Sequence, residues 1–356
     1  MSFHGIDRLP IELLSMIVEL SMEDDAIRLS CVSRKLRAVC VPYLFKTICI
    51  TFSASGLERL RYISSSTFAQ HVKVVRYKVP ELIDPYVCSW EYFRSCVYSP
   101  AEFIRDQREQ WWSFREKSFS YESIHNYFSE LSKEQQKILA KCDDARALHA
   151  CLPCFARLET IQLICEDGID QPFRWLATSL FFDWNDSMLM HLETLVEVMR
   201  CLRQHGVSIR SFGVFGFNSY ISTTDQGFLE KMADALGSVT DVMLVDSTGL
   251  LPCLASIQLP SILRLELGSC WLQISDLEDF CLKHNRKLQH IHFEDVWVSA
   301  RKVYDWGVSL STGNLAALVD NLVVLRKSGV LQQITVNRKD DGQYEHQEWL
   351  ALESTV

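Results

Sequence analysis

The residues best suited to chemistry in this sequence are a close cysteine pair and a histidine nearby. Cys151 and Cys154 flank a Leu-Pro dipeptide, and His149 lies two residues before the first thiol. Thiolate and imidazole groups at such spacing bind zinc or support thiol–disulfide exchange. A zinc site normally needs a second pair at matching spacing, which the sequence lacks, and no thioredoxin-like strand precedes this pair. We therefore favour reduced cysteines at a helix end over a metal or redox centre.

Two histidines form the other candidate ligand pair. His290 and His292 alternate along a predicted strand, so that both side chains lie on one face of the sheet. No third ligand follows at a useful sequence spacing, and we interpret both as sheet-surface residues that bind no metal. The sequence also contains no phosphate-binding glycine loop, nucleophile elbow, His-Glu-x-x-His motif or calcium loop. We therefore expect no cofactor, no catalytic residue and no enzymatic activity in this chain.

Composition limits the classes of partner. The 356 residues are 48% hydrophobic with only 14 Gly and 9 Pro, which predicts a chain folded along nearly its full length. The net charge of −9, without a dense Lys/Arg run, argues against nucleic-acid binding. No apolar stretch reaches the roughly 18 residues of a membrane span, and no secretory signal is recognisable. We expect a soluble protein of the cytoplasm or nucleus, with its thirteen cysteines reduced.

The elements that would position any site begin with an apolar segment, RLPIELLSMIVEL, followed by two further short helices. Pro10 suits the first helical position of the first helix, Ser33 is a typical N-cap of the third, and Pro42 is expected to end that helix. A unit this small cannot bury two apolar faces by itself. One face should pack on the rest of the chain or on another protein, and periodicity alone leaves these alternatives about even.

The identities and spacing in this segment resemble the F-box motif over about residues 6 to 50. The matching positions are Leu9-Pro10, Glu12-Leu13-Leu14, Ile17, Asp24 or Asp25, Leu29, Val32-Ser33-Arg34, Leu36-Arg37 and Pro42-x-Leu44-Phe45. The family often has Leu directly after its loop Asp, where this chain has Ala26.

The resemblance implies an F-box at residues 1–50 that binds a Skp-family adaptor and, through it, a cullin ubiquitin ligase. The adaptor-facing residues that it implies are Leu9, Pro10, Leu13, Ile17, Leu29 and Val32. We expect Leu9, Pro10, Leu13 and Ile17 to be exposed in the isolated chain. Leu14 and Val18, in contrast, should close the helical unit or seat it on the next element.

From Phe45 onward an apolar-x-x-apolar-x-apolar pattern recurs that is typical of leucine-rich repeats. It occurs at Phe45-Ile48-Ile50, Val72-Val75-Tyr77, Leu158-Ile161-Leu163, Ile209-Phe212-Val214, Val239-Val242-Leu244, Ile262-Leu265-Leu267, Leu288-Ile291-Phe293 and Leu331-Ile334-Val336. Several intervals lie near the roughly 20 to 29 residues of such a repeat. Helices with readable ends separate many of the segments, including one predicted over residues 314–329, and Cys270 occupies the Asn/Cys position of the repeat. An ordinary α/β domain with parallel strands is the alternative.

We therefore predict an α/β protein in which the three-helix F-box is followed by an irregular leucine-rich-repeat-like solenoid over residues 51–356. A charged, aromatic segment at about residues 99–154 is predicted as a helical insertion on the solenoid. Its Trp111 and Trp112 are better explained as core residues than as a docking surface. The architecture resembles that of fungal F-box proteins with irregular leucine-rich repeats.

The strand register predicts a surface opposite the apolar rows, because side chains alternate along a strand. Its mixed polar character suits a protein partner better than a small molecule. The candidate target-binding residues are Arg76, Gln162, Phe215, Asp241, Met243, Arg264, Glu266, His290, His292 and Gln333. The predicted function is the substrate-recognition subunit of a Skp–cullin–F-box ubiquitin ligase; the alternative is a non-catalytic scaffold that binds the adaptor without directing ubiquitination.

Overall fold

A computed structural model describes residues 6, 9–108, 119–166, 176, 180, 184–217, 219, 221, 224–299, 333–340 and 343–350. The first three helices, α1 (Ile11–Leu20), α2 (Glu23–Val32) and α3 (Arg34–Leu44), enclose a small core of their own. That core consists of Leu14, Val18, Ala26, Leu36, Val39 and Cys40. Ala26 is completely buried, so the small residue after the loop Asp is a packing position of this unit.

The ends of these helices follow the local sequence only in part. Helix α1 begins at Ile11, one residue after the Pro10 expected at its first helical position, and neither α1 nor α2 has a hydrogen-bonding side chain at its N-cap. The Ser33 hydroxyl accepts a hydrogen bond from the Leu36 N–H at 3.1 Å, as an N-cap does. The expectation that Pro42 ends α3 is wrong, because the helix continues to Leu44. Pro42 is exposed and lies in the last turn, where the Phe45 N–H still donates to the Val41 carbonyl at 3.0 Å. The missing donor of the proline therefore does not interrupt the end of the helix.

One nine-stranded sheet follows, in which eight parallel strands lie side by side in chain order and a ninth is antiparallel at the edge. Its members are β1 (Thr47–Thr51), β2 (Val74–Pro80), β3 (Thr160–Glu166), β4 (Ser211–Phe215), β5 (Asp241–Val245), β6 (Arg264–Gly268), β8 (His290–Glu294), β10 (Gln333–Asp340) and β11 (Gln343–Leu350). Two short strands, β7 (Trp271–Gln273) and β9 (Trp297–Ser299), pair separately.

Each of the eight predicted apolar segments contributes one parallel strand, and their registers coincide. The central residues of the segments form one continuous row across the sheet, namely Ile48, Val75, Ile161, Phe212, Val242, Leu265, Ile291 and Ile334. The last residues of the segments form a second row beside the first. The period-two alternation of the strands thus points the same apolar positions toward one core.

Helices connect the strands and cover one face of the sheet. They are α4 (Ala54–Ser65), α5 (Pro100–Arg108), α6 (Tyr121–Lys141), α7 (Asp143–Cys151), α8 (Trp184–Gln204), α9 (Gln226–Ala235), α10 (Leu251–Ser256) and α11 (Ile274–His284). Buried residues of α4 and of α6 to α11 join the inward strand rows in the main core. No helix in the described ranges combines the length and hydropathy needed to cross a membrane. The helix predicted over residues 314–329 lies outside the described residues.

The same backbone turn recurs after four of the strands. The first residue beyond each strand has a positive φ, at Gly216 (70°), Asp246 (48°), Ser269 (47°) and Asp295 (49°). The amides of the first three donate to the final carbonyl of the next strand in the sheet, with N···O distances of 2.8 to 2.9 Å. The turns therefore stack as regularly as the strands.

A second apolar cluster lies beside the main core. Its buried members are Ile83, Val87, Phe93, Val97, Tyr98, Ile124, Phe128, Leu176 and Leu180. The segment predicted as a helical insertion, residues 99–154, does contain α5, α6 and α7, but the cluster already begins at Ile83. Conversely, α7 packs into the main core through Leu148 and Cys151. Trp111 and Trp112 lie outside the described residues.

Candidate functional site

The outer surface of α1 and α2 exposes many large apolar side chains, and we call it the N-terminal apolar surface. Its members are Ile6, Ile11, Leu13, Met16, Leu20, Met22, Ile27 and Val32. Leu20 is 87% exposed and Val32 is 67% exposed. The remaining exposed apolar side chains of the described residues are spread between Tyr62 and Leu282. Apolar exposure is therefore concentrated in one short segment, as it is at protein interaction sites.

The expected division between covered and exposed residues holds for most positions. Leu14 and Val18 are buried, while Pro10 and Leu13 are exposed. Val32, which the resemblance also implied, is among the most exposed apolar side chains of the segment. These positions place the helical core on one side of α1 and an open apolar surface on the other.

The expectation that Leu9 and Ile17 are exposed is wrong, because both are half-buried, as is the third remaining predicted residue, Leu29. Leu9 and Leu29 pack against the core of the helical unit, and the Lys35 ammonium donates to the Leu9 carbonyl at 2.8 Å. Leu9 and Leu29 therefore stabilise the helical unit that presents the N-terminal apolar surface. Sequence reasoning missed Ile11, Met16, Leu20, Met22 and Ile27, although the i, i+3, i+7 spacing of Leu13, Met16 and Leu20 could have predicted a common stripe.

The chemistry available at this surface is burial of apolar area. Each large side chain that becomes covered contributes about 1.5 to 3 kcal/mol of transfer free energy, so that half a dozen provide on the order of 10 kcal/mol before the costs of association. Exposed carboxylates border the segment at Glu12, Glu19, Glu23, Asp24 and Asp25. An apolar centre with a charged rim is the usual composition of a protein–protein interface.

A second surface lies on the sheet, opposite the helices, and we call it the polar sheet face. Its positions alternate with the apolar rows, and all ten sequence-predicted residues of this surface lie on it in three adjacent rows. One row holds Asp241, Arg264, His290 and Gln333; the next holds Arg76, Gln162, Met243, Glu266 and His292; the third holds Phe215. The structure therefore brings the predicted residues together.

Cross-strand polar pairs cover much of this face. The Arg76 guanidinium donates to the Gln162 side-chain oxygen at 2.9 Å, and the Arg264 guanidinium lies 3.5 Å from the Asp241 carboxylate. These pairs join neighbouring strands, so that the polar side chains are held in place laterally.

An apolar strip crosses the centre of the polar sheet face. It consists of Ile164, Phe215, Met243 and Val245, all half-buried, of which the sequence reasoning named only Phe215 and Met243. The Phe215 ring lies against Gly213, where a Cβ atom would stand 3.0 Å from the ring. Rings and aliphatic groups between charged pairs provide anchors for a protein partner.

Three further groups on this face come from two neighbouring strands. One imidazole nitrogen of His292 and one carboxylate oxygen each of Glu266 and Glu294 all lie within 4.8 Å of one another. His290 does not belong to this group, because its Nδ1 lies 3.2 Å from the Gln333 side-chain oxygen. Glu266 faces His292 across two strands, so spacing along the chain does not indicate it, whereas Glu294 follows His292 by two residues on the same strand face and was overlooked in the sequence.

The cysteines form a separate group, because their thiols could bind a metal or form disulfides. All thirteen are free thiols; Cys151 is buried, whereas Cys154 is exposed, and its thiol lies 3.6 Å from the Ala150 carbonyl oxygen. Burial raises the pKa of Cys253 and of Cys281 to about 12, which keeps these thiols protonated. Over the described ranges, no group of three potential metal ligands includes a cysteine.

A cleft of about 520 Å³ lies between α4, α6 and α7 and is lined by side chains of both charges. Several of its polar groups are engaged within the fold. The Arg61 guanidinium lies 2.9 Å from the Asp143 carboxylate, and the Glu134 carboxylate accepts from the Ala54 N–H at 2.7 Å at the start of α4. These contacts join neighbouring helices and account for the charged residues that form them, with no need for a bound ligand.

Comparison with known proteins gives a match for the N-terminal unit. Residues 6–51 match the family model described as F-box-like, a range that contains α1, α2, α3 and β1. No curated protein matches the chain. The matched range includes the whole N-terminal apolar surface.

Proposed function

We propose that this chain, an F-box protein by its N-terminal domain at residues 6–51, is the substrate-recognition subunit of a Skp–cullin–F-box ubiquitin ligase. Domains of this family bind Skp-family adaptors within cullin ligase complexes. The observation that carries the proposal is the N-terminal apolar surface: Leu13, Leu20 and Val32 are exposed directly beside a closed helical core. The adaptor covers these side chains and thereby supplies the burial that the isolated unit lacks.

The remaining sheet and its helices form an irregular leucine-rich-repeat-like solenoid in this proposal. Three features support it: parallel strands in unbroken chain order, helices on a single sheet face in the described part, and a stacked turn after successive strands. Side chains at the Asn/Cys position also bond to the backbone, namely Cys270 and Ser247, each eight residues after the start of its apolar segment. The Ser247 hydroxyl accepts from the Phe217 N–H at 3.0 Å, and the Cys270 thiol donates to the Leu244 carbonyl at 3.5 Å.

The polar sheet face is the target-binding surface in this account. Its apolar strip supplies anchors such as Phe215, while the pairs Arg76–Gln162 and Arg264–Asp241 supply fixed charges around it. Tethering raises the effective concentration of target lysines near the charged ubiquitin-carrying enzyme. The chain itself performs no bond chemistry, and other subunits transfer ubiquitin.

The compartment that fits this role is the cytoplasm or the nucleus. Its support is that none of the thirteen cysteines forms a disulfide in the structure, as is usual for proteins of reducing compartments.

The adaptor step is tested by capture from cells that express the tagged full chain. We expect the wild-type chain to retain a Skp-family adaptor and a cullin, and the Leu13→Asp variant to lose both. The control is Leu282→Asp, because Leu282 is 51% exposed, close to the 46% of Leu13, but lies on α11. Failure of the wild-type chain to retain the adaptor contradicts the assignment.

Substrate recognition is tested separately from adaptor binding. Proteins that bind the chain through the polar sheet face should accumulate when Leu13→Asp replaces the wild type, and should no longer be captured by Phe215→Ser. Capture of the adaptor without any protein that accumulates favours the scaffold alternative. The two results distinguish a ligase subunit from an assembly factor.

A further inference from the structure

We propose that Glu266, His292 and Glu294 form a binding site for a divalent transition-metal ion, of which zinc fits best. The register of the sheet places Glu266 directly opposite His292 on neighbouring strands. Glu294 is the next residue of its strand on the same face, and its opposite position is Gly268. Because Gly268 has no side chain, the residue directly opposite Glu294 on that strand places no polar group beside its carboxylate.

The ligand atoms of these residues lie close together, and no other side chain of the described residues offsets the charge of the two carboxylates. All three lie within 4.8 Å of one another, and none of the three side chains has a hydrogen-bond or ion-pair partner in the described part of the chain. Two carboxylates at this separation repel each other, an unfavourable arrangement that a bound cation reverses. His292 adds an imidazole nitrogen as a third ligand atom beside the two carboxylates.

Other polar positions on the polar sheet face do have side-chain partners across the strands. Gln162 is paired with Arg76, Asp241 with Arg264, and His290 with Gln333. Lys78 similarly lies 2.7 Å from the carboxylate of Glu166. Two of these pairs, Asp241 with Arg264 and His290 with Gln333, lie on the strands of the Glu–His–Glu group or beside them, and the group itself differs from them in having no such partner among the described residues.

The donor set indicates the class of ion. One imidazole nitrogen with two carboxylate oxygens suits zinc and related first-row ions, whereas calcium and magnesium prefer oxygen ligands alone. Bonds of about 2.0 to 2.2 Å bring such donors to roughly 3.3 Å from one another in a tetrahedral site, which small side-chain rotations achieve from the present separations. Three protein ligands leave a fourth position, which a solvent molecule or a side chain of a bound protein occupies. This inference does not depend on the proposed ligase role.

Cobalt is the probe that separates this site from the thirteen thiols. Full-length, chelator-treated protein is titrated with Co²⁺ and followed by visible absorbance, because thiolate ligation adds a charge-transfer band that nitrogen and oxygen ligands do not give. We expect about one equivalent to bind without that band and to be displaced by Zn²⁺. His292→Ala and Glu266→Gln should each weaken this binding at least about tenfold, since loss of even an outer-shell partner costs about that much.

The matched control is His290→Ala, which removes an imidazole from the same strand and the same face. It should bind Co²⁺ as the wild-type chain does. Circular dichroism of the metal-free variants verifies their fold, and Glu266→Gln, which preserves size, decides the matter if His292→Ala does not fold. The proposal is overturned if the wild-type chain binds no thiolate-free Co²⁺, or if Glu266→Gln binds it as tightly as the wild type.

Discussion

Replacement of Glu81 by Gln should change the pH dependence of stability, because this carboxyl is buried without a partner. Glu81 is fully inaccessible to solvent, and neither of its carboxyl oxygens has a hydrogen bond in the described structure. Its backbone is held firmly: the Gln135 amide donates to the Glu81 carbonyl at 3.1 Å, and the Leu82 N–H donates to the Ser187 hydroxyl at 2.7 Å. The side chain therefore cannot easily leave its apolar surroundings.

Desolvation raises the pKa of Glu81 from 4.5 to about 8. Between these values the folded chain holds the proton while the unfolded chain releases it, so the free energy of unfolding falls as pH rises from about 4.5 to about 8. Each pH unit lowers the free energy of unfolding by about 1.4 kcal/mol, so the wild type loses on the order of 3 kcal/mol of stability between pH 5 and pH 7. Gln cannot ionise and does not show this loss.

The assay is urea unfolding of the full chain at several pH values from 5 to 8, comparing wild type with Glu81→Gln. The difference between the two curves cancels other titrating groups, including His191, whose pKa is lowered to about 4 by burial. We expect the variant to gain stability relative to wild type steadily from pH 5 to pH 7. Glu58→Gln, at an exposed carboxylate, serves as the control with a nearly constant difference. A constant difference for Glu81→Gln as well refutes the reasoning.

Three further substitutions test the packing of the fold. Gly216→Ala places a Cβ atom 2.6 Å from the backbone carbonyl oxygen of the neighbouring strand. It should therefore lower the free energy of unfolding by at least about 2 kcal/mol in urea titrations. Its control is Gly206→Ala, also at positive φ but with open space around the Cβ position, which should lower the free energy of unfolding by only about 1 kcal/mol. Ser247→Ala leaves the buried Phe217 N–H without its acceptor and should cost about 1 to 3 kcal/mol by the same assay, whereas no change contradicts the role of that turn position. Leu14→Ala opens the core of the helical unit and should destabilise it by about 2 to 5 kcal/mol, which faster amide exchange of α1 to α3 reports and unchanged exchange contradicts.

The strands were predictable from the sequence because their determinant is local. A strand with one buried face needs apolar residues at alternating positions. This pattern is already visible in three consecutive residues, as in Ile161-Gln-Leu163. The common register of all eight strands followed from the same positions within each segment. The irregular spacing, with long stretches between β2 and β3, did not obscure the pattern.

Features that depend on contacts across strands or between distant helices could not be predicted. Glu266 and His292 are 26 positions apart in the chain and meet only through the pairing of β6 with β8. The burial of Glu81 depends on α6 and α8, which no sequence pattern near Glu81 indicates. The prediction that Pro42 ends the helix was wrong because proline removes only its own N–H and the bond that this group would donate, while the N–H of Phe45 still donates to the Val41 carbonyl.

The most direct test of the account is the affinity of the purified full chain for a purified Skp-family adaptor, measured by isothermal titration calorimetry. We expect the wild-type chain to bind, and Leu13→Asp to weaken binding at least about 30-fold, which corresponds to about 2 kcal/mol for a central interface residue. Leu282→Asp, at similar exposure outside the N-terminal apolar surface, should remain within about twofold of wild type. No binding by the wild-type chain, or equal affinities for all three proteins, contradicts the assignment of that surface.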